Sequence, residues 1–295
     1  MAILRELGDR GSVTAVAAAL YITPSAVSQQ PAALQRTVPV PLTRRDGRRL
    51  ALTEAGTALA AAAAGVASAL AAAEQTVAGY LDASPQPVHV AAFDSAASAF
   101  FPSLVARAAA EGVDVRCTDQ DVAQERFPAL CADHDVVLAH RPLHGPPWPP
   151  TVAVTPLLRE PLDVALPRDH PLSERDEPLT AADVADEPWI AVHQGFPLAA
   201  SLDAVAAAAS RPVRVVHRLN GFPVAVALVA EGQGCALVPR WTGPAHPGVV
   251  LRPLADVRIG RHVEALARPD RVLRTTVGRV VVLLRDVAAD LSRPT

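Results

Sequence analysis

The chain has 295 residues, of which 50% are hydrophobic and 19% are charged, so it is too apolar for a disordered protein and long enough for about two domains. Its net charge of −3 is unevenly distributed. Residues 1–52, which we call the head, carry seven arginines against three acidic residues, a net of +4. The remaining residues, the body, carry 20 arginines against 27 acidic residues, a net of −7. This division predicts a polyanionic partner for the head.

The first predicted elements are short helices in the head. Gly11 interrupts the chain before a helix over 15–20, which either Ser12 or Thr14 can cap. After a short turn, Thr23 can cap the next helix, with Pro24 at the first helical position, where a missing N–H costs nothing. Two helices joined by such a short turn predict a helix-turn-helix.

A basic hairpin follows the second helix. Residues 44–49 are rich in arginine and surround an Asp-Gly pair, and the short apolar run 50–52 comes directly after them. An Asp-Gly turn between two extended runs is typical of a β-hairpin. A helix-turn-helix followed by a hairpin predicts a winged helix.

A long, alanine-rich helix is predicted to begin at Thr53 and to end near Leu81, over roughly 40 Å at 1.5 Å per residue. Residues 55–73 carry no charge and have the length of a membrane span, but their alanine content favours a soluble helix. The larger apolar side chains recur every four or seven residues and predict a helix–helix dimer contact. They are Leu59, Val66, Leu70, Val77 and Leu81. The proline-rich stretch 84–87 then predicts a linker.

From Val88 onward, predicted strands and helices alternate, which favours a mostly parallel sheet in two small α/β lobes. The predicted strands cover 88–92, 113–117, 135–139, 162–166, 189–192, 213–216, 236–238 and 264–267. The predicted helices cover 95–111, 199–209, 224–231 and 275–291. The proline-rich stretch 144–150 is predicted to be a loop.

The second helix of the head carries side chains that suit DNA. A helix that enters the major groove needs small and amide side chains near its N-terminal end, and glutamine can bind adenine through two hydrogen bonds. Such side chains are Ser25, Ser28, Gln29 and Gln30. Guanidinium groups pair with phosphates, and the hairpin offers Arg44, Arg45, Arg48 and Arg49. The alternative interpretation is that these polar residues only cover a solvated surface.

Several stretches together resemble LysR-type transcriptional regulators. Residues 11–30 and 41–56 resemble the DNA-binding head of that family, including Thr23-Pro-Ser-Ala-Val-Ser-Gln-Gln. Residues 161–172 resemble the segment where the first effector lobe crosses to the second, and residues 227–239 resemble a late helix–strand signature. The order and spacing of these stretches match over nearly the whole chain.

The resemblance implies an α/β protein with an N-terminal winged helix-turn-helix, a long linker helix and a two-lobed, periplasmic-binding-protein-like effector domain. The implied domains are 1–58 for DNA binding, 59–84 for dimerisation and 85–295 for effector binding. Within the last, lobe I would cover 85–160 and 268–295, and lobe II would cover 161–267. The implied partners are double-stranded promoter DNA, bound near Thr23 and the polar residues above, and a second copy of the chain. Such regulators usually form tetramers.

The resemblance also implies a small-molecule effector between the lobes. The pocket positions of the family fall on Ser95, Val122, His140, Gln194, Gly195, Asn220 and Phe222. Ser95 opens a helix, where free N–H groups suit an anionic effector. Other interpretations stay open: Ser95 as a helix cap, His140 as a packed histidine, and Gln194 and Asn220 as turn residues.

Three positions depart from the family pattern. Pro31 replaces an aliphatic core residue inside the second head helix, Pro39 replaces a glycine, and Thr43 replaces a core phenylalanine. An interior proline removes one helical hydrogen bond and costs about 3 kcal/mol. The alternative function is therefore a small-molecule-binding module whose DNA binding is impaired.

No enzyme is predicted, and neither a cofactor nor a metal site. The sequence lacks the glycine-framed nucleophilic serine, the phosphate-binding glycine loops and the paired-histidine helix of zinc proteases. Cys117, Cys131 and Cys235 have no metal-like spacing and predict reduced thiols, with a redox pair as the alternative. The charged N-terminus lacks the apolar core of a signal peptide, so we expect a cytoplasmic protein.

Overall fold

The structure is a computed structural model that describes residues 1–46, 49–78, 86–196 and 198–293. Arg48, Leu81 and the first half of the predicted linker at 84–87 lie outside these residues, as do the side chains of Arg49 and Val77.

The head forms the predicted winged helix-turn-helix. Its elements are α1 Ala2–Arg10, α2 Val13–Leu20, α3 Pro24–Gln35, β1 Thr43–Asp46 and β2 Arg49–Leu52, and the two strands pair antiparallel. Of the two candidate caps of α2, Ser12 is the cap, because the N–H of Ala15 donates to Ser12 Oγ at 3.4 Å. The predicted cap of α3 is confirmed, because the N–H of Ala26 donates to Thr23 Oγ1 at 3.2 Å. Tyr21, in the turn, has a φ of 54° and ends α2.

Helix α3 runs through Pro31 without a break and ends at Gln35. The side chain of Pro31 is buried. Because proline has no N–H, the carbonyl of Val27 loses the helical partner that any other residue at position 31 would supply. The packing around Pro31 therefore keeps α3 helical despite this loss.

The loop after α3 is held by one amide side chain. Gln35 Nε2 donates to the carbonyls of Val38 and Val40 at 3.0 and 2.8 Å, and Gln35 Oε1 accepts from the N–H of Leu42 at 2.7 Å. These three bonds fix the conformation of the loop that contains Pro39. The glycine expected at position 39 would have more conformational freedom than proline.

The long helix α4 covers Glu54–Ala78. It starts at the predicted place, because the N–H of Gly56 donates to Thr53 Oγ1 at 3.0 Å. Position 56 requires glycine, since a Cβ there would lie 1.9 Å from the carbonyl oxygen of Leu42. In the described part of the chain, one stretch, Glu54–Glu74, is long and apolar enough by composition to cross a membrane, and a single such helix is weak evidence of a span.

The body is an α/β structure built on one sheet. Its strands are β3 Val88–Ala92, β4 Val115–Asp119, β5 Val136–Pro142, β6 Ala153–Pro167, β7 Pro188–Ala191, β8 Arg214–Arg218, β9 Cys235–Pro239, β10 Val249–Arg252 and β11 Gly260–Ala267. Within the described residues the order is β4-β3-β5-β11-β6-β9-β7-β8, with β10 also on β6. Its helices are α5 Asp94–Ala110, α6 Phe127–Leu130, α7 Ala181–Val184, α8 Ala199–Ala208, α9 Phe222–Ala230, α10 Pro269–Val272 and α11 Thr275–Leu291.

The prediction of a mostly parallel sheet was wrong. Among the strands of the described residues, parallel pairing occurs towards the two ends, between β3 and its neighbours β4 and β5 and between β7 and its neighbours β8 and β9. The long strands β6 and β11 pair antiparallel with each other and with their other neighbours in the centre. Only 162–166 of β6 was predicted, because its first half carries Pro156, Arg159 and Glu160 and lacks an apolar run.

Two hydrophobic cores lie at the two ends of this sheet. The first packs α5 and α11 on β3 and β5, around Phe100, Leu138 and Leu284. The second packs α8 and α9 on β7 and β9, around Trp189 and Val229. We call the parts built on these cores lobe I and lobe II, and β6 crosses between them.

We expect Pro31→Leu to stabilise the head by up to about 3 kcal/mol and to strengthen DNA binding, because leucine restores the N–H at position 31. Space is available, since Pro31 lines a surface groove together with Val13 and Leu50. Chemical denaturation and DNA titration measure the two effects. Pro24→Ala is the matched control and should give no such gain in stability, because Pro24 lies at the first helical position of α3. Unchanged or lower stability and affinity of Pro31→Leu would contradict the account.

Candidate nucleic-acid interface and inter-lobe cavity

The N-terminal part of α3 presents a polar surface. The side chains of Ser25, Ser28, Gln29 and Gln30 are all exposed. Ser28 Oγ donates to the carbonyl of Pro24 at 3.0 Å, so this serine is partly engaged by its own helix. Among the described residues the amides of Gln29 and Gln30 form no intramolecular hydrogen bond, which leaves both free for an external partner.

Thr23 has two contacts that tie it to the start of α3. Its Oγ1 accepts from the N–H of Ala26 and lies 3.1 Å from Ser25 Oγ. Thr23 therefore fixes the N-terminal turn, and the exposed N–H groups of that turn give the site a partial positive charge.

The wing presents cations that have no internal partner. Arg44 and Arg45 are exposed on β1, and neither forms an ion pair or a side-chain hydrogen bond within the part of the chain that is described. Arg48 lies outside the described residues, and for Arg49 only the backbone position in β2 is known. The arrangement places unpaired charge beside α3, as contact with a polyanion requires.

Two other arginines of the head contact the body instead. Arg5 Nη2 lies 2.8 Å from Asp270 Oδ1, and Arg10 Nη2 lies 2.8 Å from Asp133 Oδ1. In return, Arg268 of the body bonds Glu6 at 2.6 Å and Asp9 at 2.5 Å. We call these seven residues the head–body ion network. The head charge of +4 is thus not all available to an external partner, and sequence reasoning missed this because no local pattern links such distant positions.

Glu6 is the centre of this network, since both Arg10 and Arg268 bond its carboxylate. Burial alone would raise the pKa of Glu6, but the hydrogen bonds from Arg268 and Arg10 outweigh burial and lower that pKa. Contact between the head and the body therefore favours the ionised carboxylate of Glu6.

The junction of the lobes contains a buried ion pair. Arg261, on β11, and Glu160, on β6, are both at most 1% exposed, and Arg261 Nε lies 2.9 Å from Glu160 Oε2. Arg261 Nη2 also donates to Ser95 Oγ at 2.9 Å and to Thr242 Oγ1 at 2.6 Å. The carboxylate of Glu160 accepts the N–H groups of Trp241 and Thr242. We call Ser95, Glu160, Thr242 and Arg261 the inter-lobe network.

Ser95 is buried at the start of α5, where its hydroxyl accepts from Arg261 and is already engaged. It is not the helix cap, because α5 begins at Asp94 and its cap position is Phe93. Ser95 and Phe222 both line a cavity of about 180 Å³ that also contacts Asp94 and Thr242. The structure thus brings two of the predicted effector positions, one from each lobe, to a single cavity.

His140 lies in an aromatic environment at the end of β5. Its ring centroid is 4.5 Å from that of Phe93, 5.6 Å from Phe127 and 6.3 Å from Phe196. Burial, reinforced by the nearby charge of Arg261, lowers the pKa of His140 well below its usual value. The ring is therefore neutral, and its buried Nδ1 has no hydrogen-bond partner.

The other predicted effector positions are more dispersed. Val122 packs against the core of lobe I. Gln194 is exposed and Gly195 follows it with a φ of 82°, as a turn glycine. Asn220 Oδ1 accepts the N–H of His193 at 3.0 Å, so this amide holds a loop of lobe II. Gln194 and Phe222 line a second cavity, within lobe II.

The three cysteines are free thiols. Cys117 is exposed, whereas Cys131 and Cys235 are buried. Burial raises the pKa of Cys131 to about 12, so this thiol stays protonated at neutral pH. Among the described residues, no group of three or more metal-ligating side chains comes together.

Two family models match this chain. The model described as "Bacterial regulatory helix-turn-helix protein, lysR family" matches residues 1–57, and the model described as "LysR substrate binding domain" matches residues 82–289. Among curated proteins, the chain is 28% identical over 248 residues to the Hca operon transcriptional activator HcaR of Escherichia coli strain K12. The match covers 82% of this chain and 81% of that protein.

Similar folds occur among solved structures. A full-length OxyR variant from Pseudomonas aeruginosa is 19% identical, with a TM-score of 0.63, over 97% of this chain and 92% of that one. HinK, a LysR family regulator from the same organism, is 18% identical, with a TM-score of 0.58, over 96% of each chain. An OxyR mutant from Corynebacterium glutamicum is 21% identical, with a TM-score of 0.58, over 98% and 92%. At such identities, these structures show the shared fold.

The head–body ion network predicts a pH dependence that Glu6→Gln removes. Because the folded pKa of Glu6 lies below its usual value of 4.5, the ion pairs of Glu6 stabilise the folded state above pH 4.5 and are lost as the pH falls through the folded pKa. At pH 7 we expect Glu6→Gln to cost about 2 kcal/mol, measured by chemical denaturation.

The difference between wild type and Glu6→Gln should shrink as the pH falls below 4.5. Glu54→Gln is the matched control, because Glu54 is exposed in the first turn of α4 and has no ion pair in the described structure. A pH of 3.5 is on the order of one unit below the usual pKa of Glu6. A stability difference that stays constant down to this pH, or an equal effect of Glu54→Gln, would show that the ionised carboxylate of Glu6 does not stabilise the folded state.

Proposed function

The chain belongs to the LysR family of bacterial transcriptional regulators, and from this membership we propose which of its residues contact promoter DNA and which contact an effector. The family assignment covers both parts of the molecule, the helix-turn-helix head and the substrate-binding body. Relatives such as HcaR are transcriptional activators by name.

We propose that α3 enters the major groove and that the wing binds the flanking phosphates. The observation that carries this proposal is the juxtaposition of exposed, unbonded amides at Gln29 and Gln30 with exposed, unpaired Arg44 and Arg45. The residues proposed for the base edges are Thr23, Ser25, Ser28, Gln29 and Gln30. Those proposed for phosphates are Arg44, Arg45, Arg48 and Arg49.

The alternative is a small-molecule-binding module with impaired DNA binding. It rests on Pro31, Pro39 and Thr43, where the chain departs from the family pattern. Three observations favour an intact head instead: α3 is continuous through Pro31, Gln35 holds the loop around Pro39, and Thr43 is partly buried in its paired strand. We therefore retain DNA binding as the function and treat impairment as an outcome of the experiments.

The effector is proposed to bind between the lobes, in the cavity that Ser95 and Phe222 line. The free N–H groups at the start of α5 favour an anion, whereas the carboxylate of Asp94 lines the same cavity and disfavours one. We therefore propose a small polar effector of modest charge. Val122, His140, Gln194, Gly195 and Asn220 would act around this cavity rather than in it.

A route from this cavity to the head runs along β11. Arg261, near the start of the strand, belongs to the inter-lobe network, and Arg268, directly after its end, belongs to the head–body ion network. An effector that binds one arrangement of the lobes better shifts the population towards it. A shift of β11 would then change how the head is held, and with it the position of α3.

We further propose a homodimer through α4, from which a tetramer would be built. Val66 and Leu70 are 60% and 61% exposed on this helix, one turn apart, so their apolar surface has no partner within the chain. Family members are soluble DNA-binding proteins, and we place this one in the cytoplasm as a regulator rather than an enzyme.

The proposed division is 1–58 for DNA binding, 59–84 for the linker and dimer helix, and 85–295 for the effector domain. Lobe I would include 85–160 and 268–295, and lobe II 161–267. The two separate hydrophobic cores of the body support a division into two lobes, but Val263, Ala265 and Leu266 of β11 lie in the range proposed for lobe II and pack in the core of lobe I.

Removal of a wing cation should weaken DNA binding and flatten its salt dependence. For Arg44→Ala we expect the slope of log K against log salt to fall by about 0.9, the value for one lost phosphate contact. Fluorescence anisotropy with DNA from upstream of the gene measures this. Arg214→Ala is the matched control, because it removes one exposed cation from β8 in lobe II and should leave the slope unchanged. Equal slopes for wild type and Arg44→Ala would show that Arg44 of the wing does not contact a phosphate.

A charge on the exposed stripe of α4 should split the dimer. We expect Leu70→Glu to halve the mass measured by light scattering, because a carboxylate in the helix–helix contact loses its hydration. Ala72→Glu is the control, since it adds the same charge to an exposed position on another side of α4 and should leave the mass unchanged. An unchanged mass for Leu70→Glu would place the dimer contact elsewhere.

A further inference from the structure

Lobe II contains an apolar cavity that is distinct from the cavity proposed for the effector, although Phe222 lines both. It lies between α8 and the strands β7 and β8, and its volume is about 240 Å³. The floor is formed by large apolar side chains, including Trp189, Ile190 and Leu219. An engineered apolar cavity of about 150 Å³ stays dry and binds benzene, so a space of this size and lining has room for a ring-sized group.

Two short side chains of α8 contribute to the lining of this cavity. Ala199, Leu202, Asp203 and Ala206 line the cavity from α8, so two of these four side chains are methyl groups. Larger residues at the two alanine positions would fill the space.

Two opposite charges stand at the rim of this cavity without neutralising each other. Arg218 and Asp203 both line it and are both exposed. No ion pair joins them or links either to another group within the described residues. Arg218 Nη1 donates to the carbonyl of Val192 at 3.0 Å, which holds the guanidinium beside the rim. A ligand with one cationic and one anionic group would satisfy both charges.

We propose that this cavity is a second ligand site, separate from the inter-lobe cavity, for a small zwitterion with an apolar side chain, such as an aromatic amino acid. The ring would occupy the floor, the carboxylate would face Arg218 and the ammonium group would face Asp203. Pockets for small molecules commonly combine an apolar lining with a few polar groups that fix orientation.

Phe222 gives this site a connection to the inter-lobe cavity. Its side chain lines both cavities, at the first position of α9. A ligand that packs against one side of the Phe222 ring restricts how the ring meets the other cavity. Occupancy of the lobe II site would therefore change effector affinity, and by linkage the effector would change the affinity of the lobe II site by the same factor.

The experiment is calorimetric titration of the full-length protein with L-phenylalanine. We expect Ala206→Leu to weaken binding at least tenfold, because the new side chain fills the cavity, and Ala199→Leu to do the same by an independent change. Ala207→Leu is the matched control, because Ala207 is exposed on α8 and does not line the cavity. This variant should bind L-phenylalanine as tightly as the wild type does. Thermal unfolding checks that each variant is folded.

The charge requirement is tested with altered ligands and one altered residue. L-phenylalaninamide lacks the carboxylate and 3-phenylpropanoate lacks the ammonium group, and each should bind about tenfold more weakly than L-phenylalanine. Arg218→Gln should weaken the binding of L-phenylalanine by a similar factor, whereas it should leave the affinity for L-phenylalaninamide unchanged. Equal affinity of all three ligands would overturn the zwitterion assignment.

The location is tested against the inter-lobe cavity with Ser98→Trp. Ser98 is exposed and lines the inter-lobe cavity but not the lobe II cavity, so this change should block the former. L-phenylalanine should still bind, with an affinity changed only as far as Phe222 couples the two cavities. Loss of binding in Ser98→Trp but not in Ala206→Leu would place the ligand between the lobes and overturn the proposal. Absence of binding to the wild type up to about 10 mM would overturn it as well.

Discussion

Strand β11 is the element on which both the lobes and the head depend. Near its start, Arg261 forms a buried ion pair with Glu160 of the neighbouring β6, and removal of one partner from such a pair costs about 3–5 kcal/mol. Directly after its end, Arg268 holds Glu6 and Asp9 of the head. The strand also requires close contact with β6, because a Cβ on Gly260 would lie 2.4 Å from the carbonyl oxygen of Glu160.

The arginines of the head serve two different contacts, and burial separates them. Arg5 and Arg10 are largely buried and paired with Asp270 and Asp133 of the body, which neutralises their charge and fixes their geometry. Arg44 is exposed and unpaired on the wing within the described structure, so its charge remains available. Because exposed cations gain most from counterion release on DNA, the wing is the part of the head suited to phosphates.

Local signals in the sequence were sufficient to predict the winged helix-turn-helix of the head and most of the helices. Ser12 and Thr23 cap the helices they were predicted to cap, and α11 has its predicted bounds. The centre of the sheet could not be predicted in this way, since the first half of β6 has neither an apolar run nor clean alternation. Pairing of antiparallel strands from distant parts of the chain leaves no local pattern.

The same limit applies to the candidate sites. The position of Ser95 at a helix start follows from the sequence, but its bond to Arg261 joins residues 166 positions apart. The head–body ion network joins positions separated by more than 250 residues, as in the bond between Arg268 and Glu6. Such contacts depend on the tertiary fold, whereas the exposed amides of Gln29 and Gln30 follow from the helical spacing of α3 alone.

A footprint of the purified full-length protein on DNA from upstream of its own gene shows directly whether α3 reads a base sequence. We expect two protected half-sites, separated by one or more helical turns of about 34 Å each, with protection that weakens steeply as salt increases. Absence of protection at low salt, or uniform protection without regard to sequence, would contradict the assignment of α3 as a reading helix.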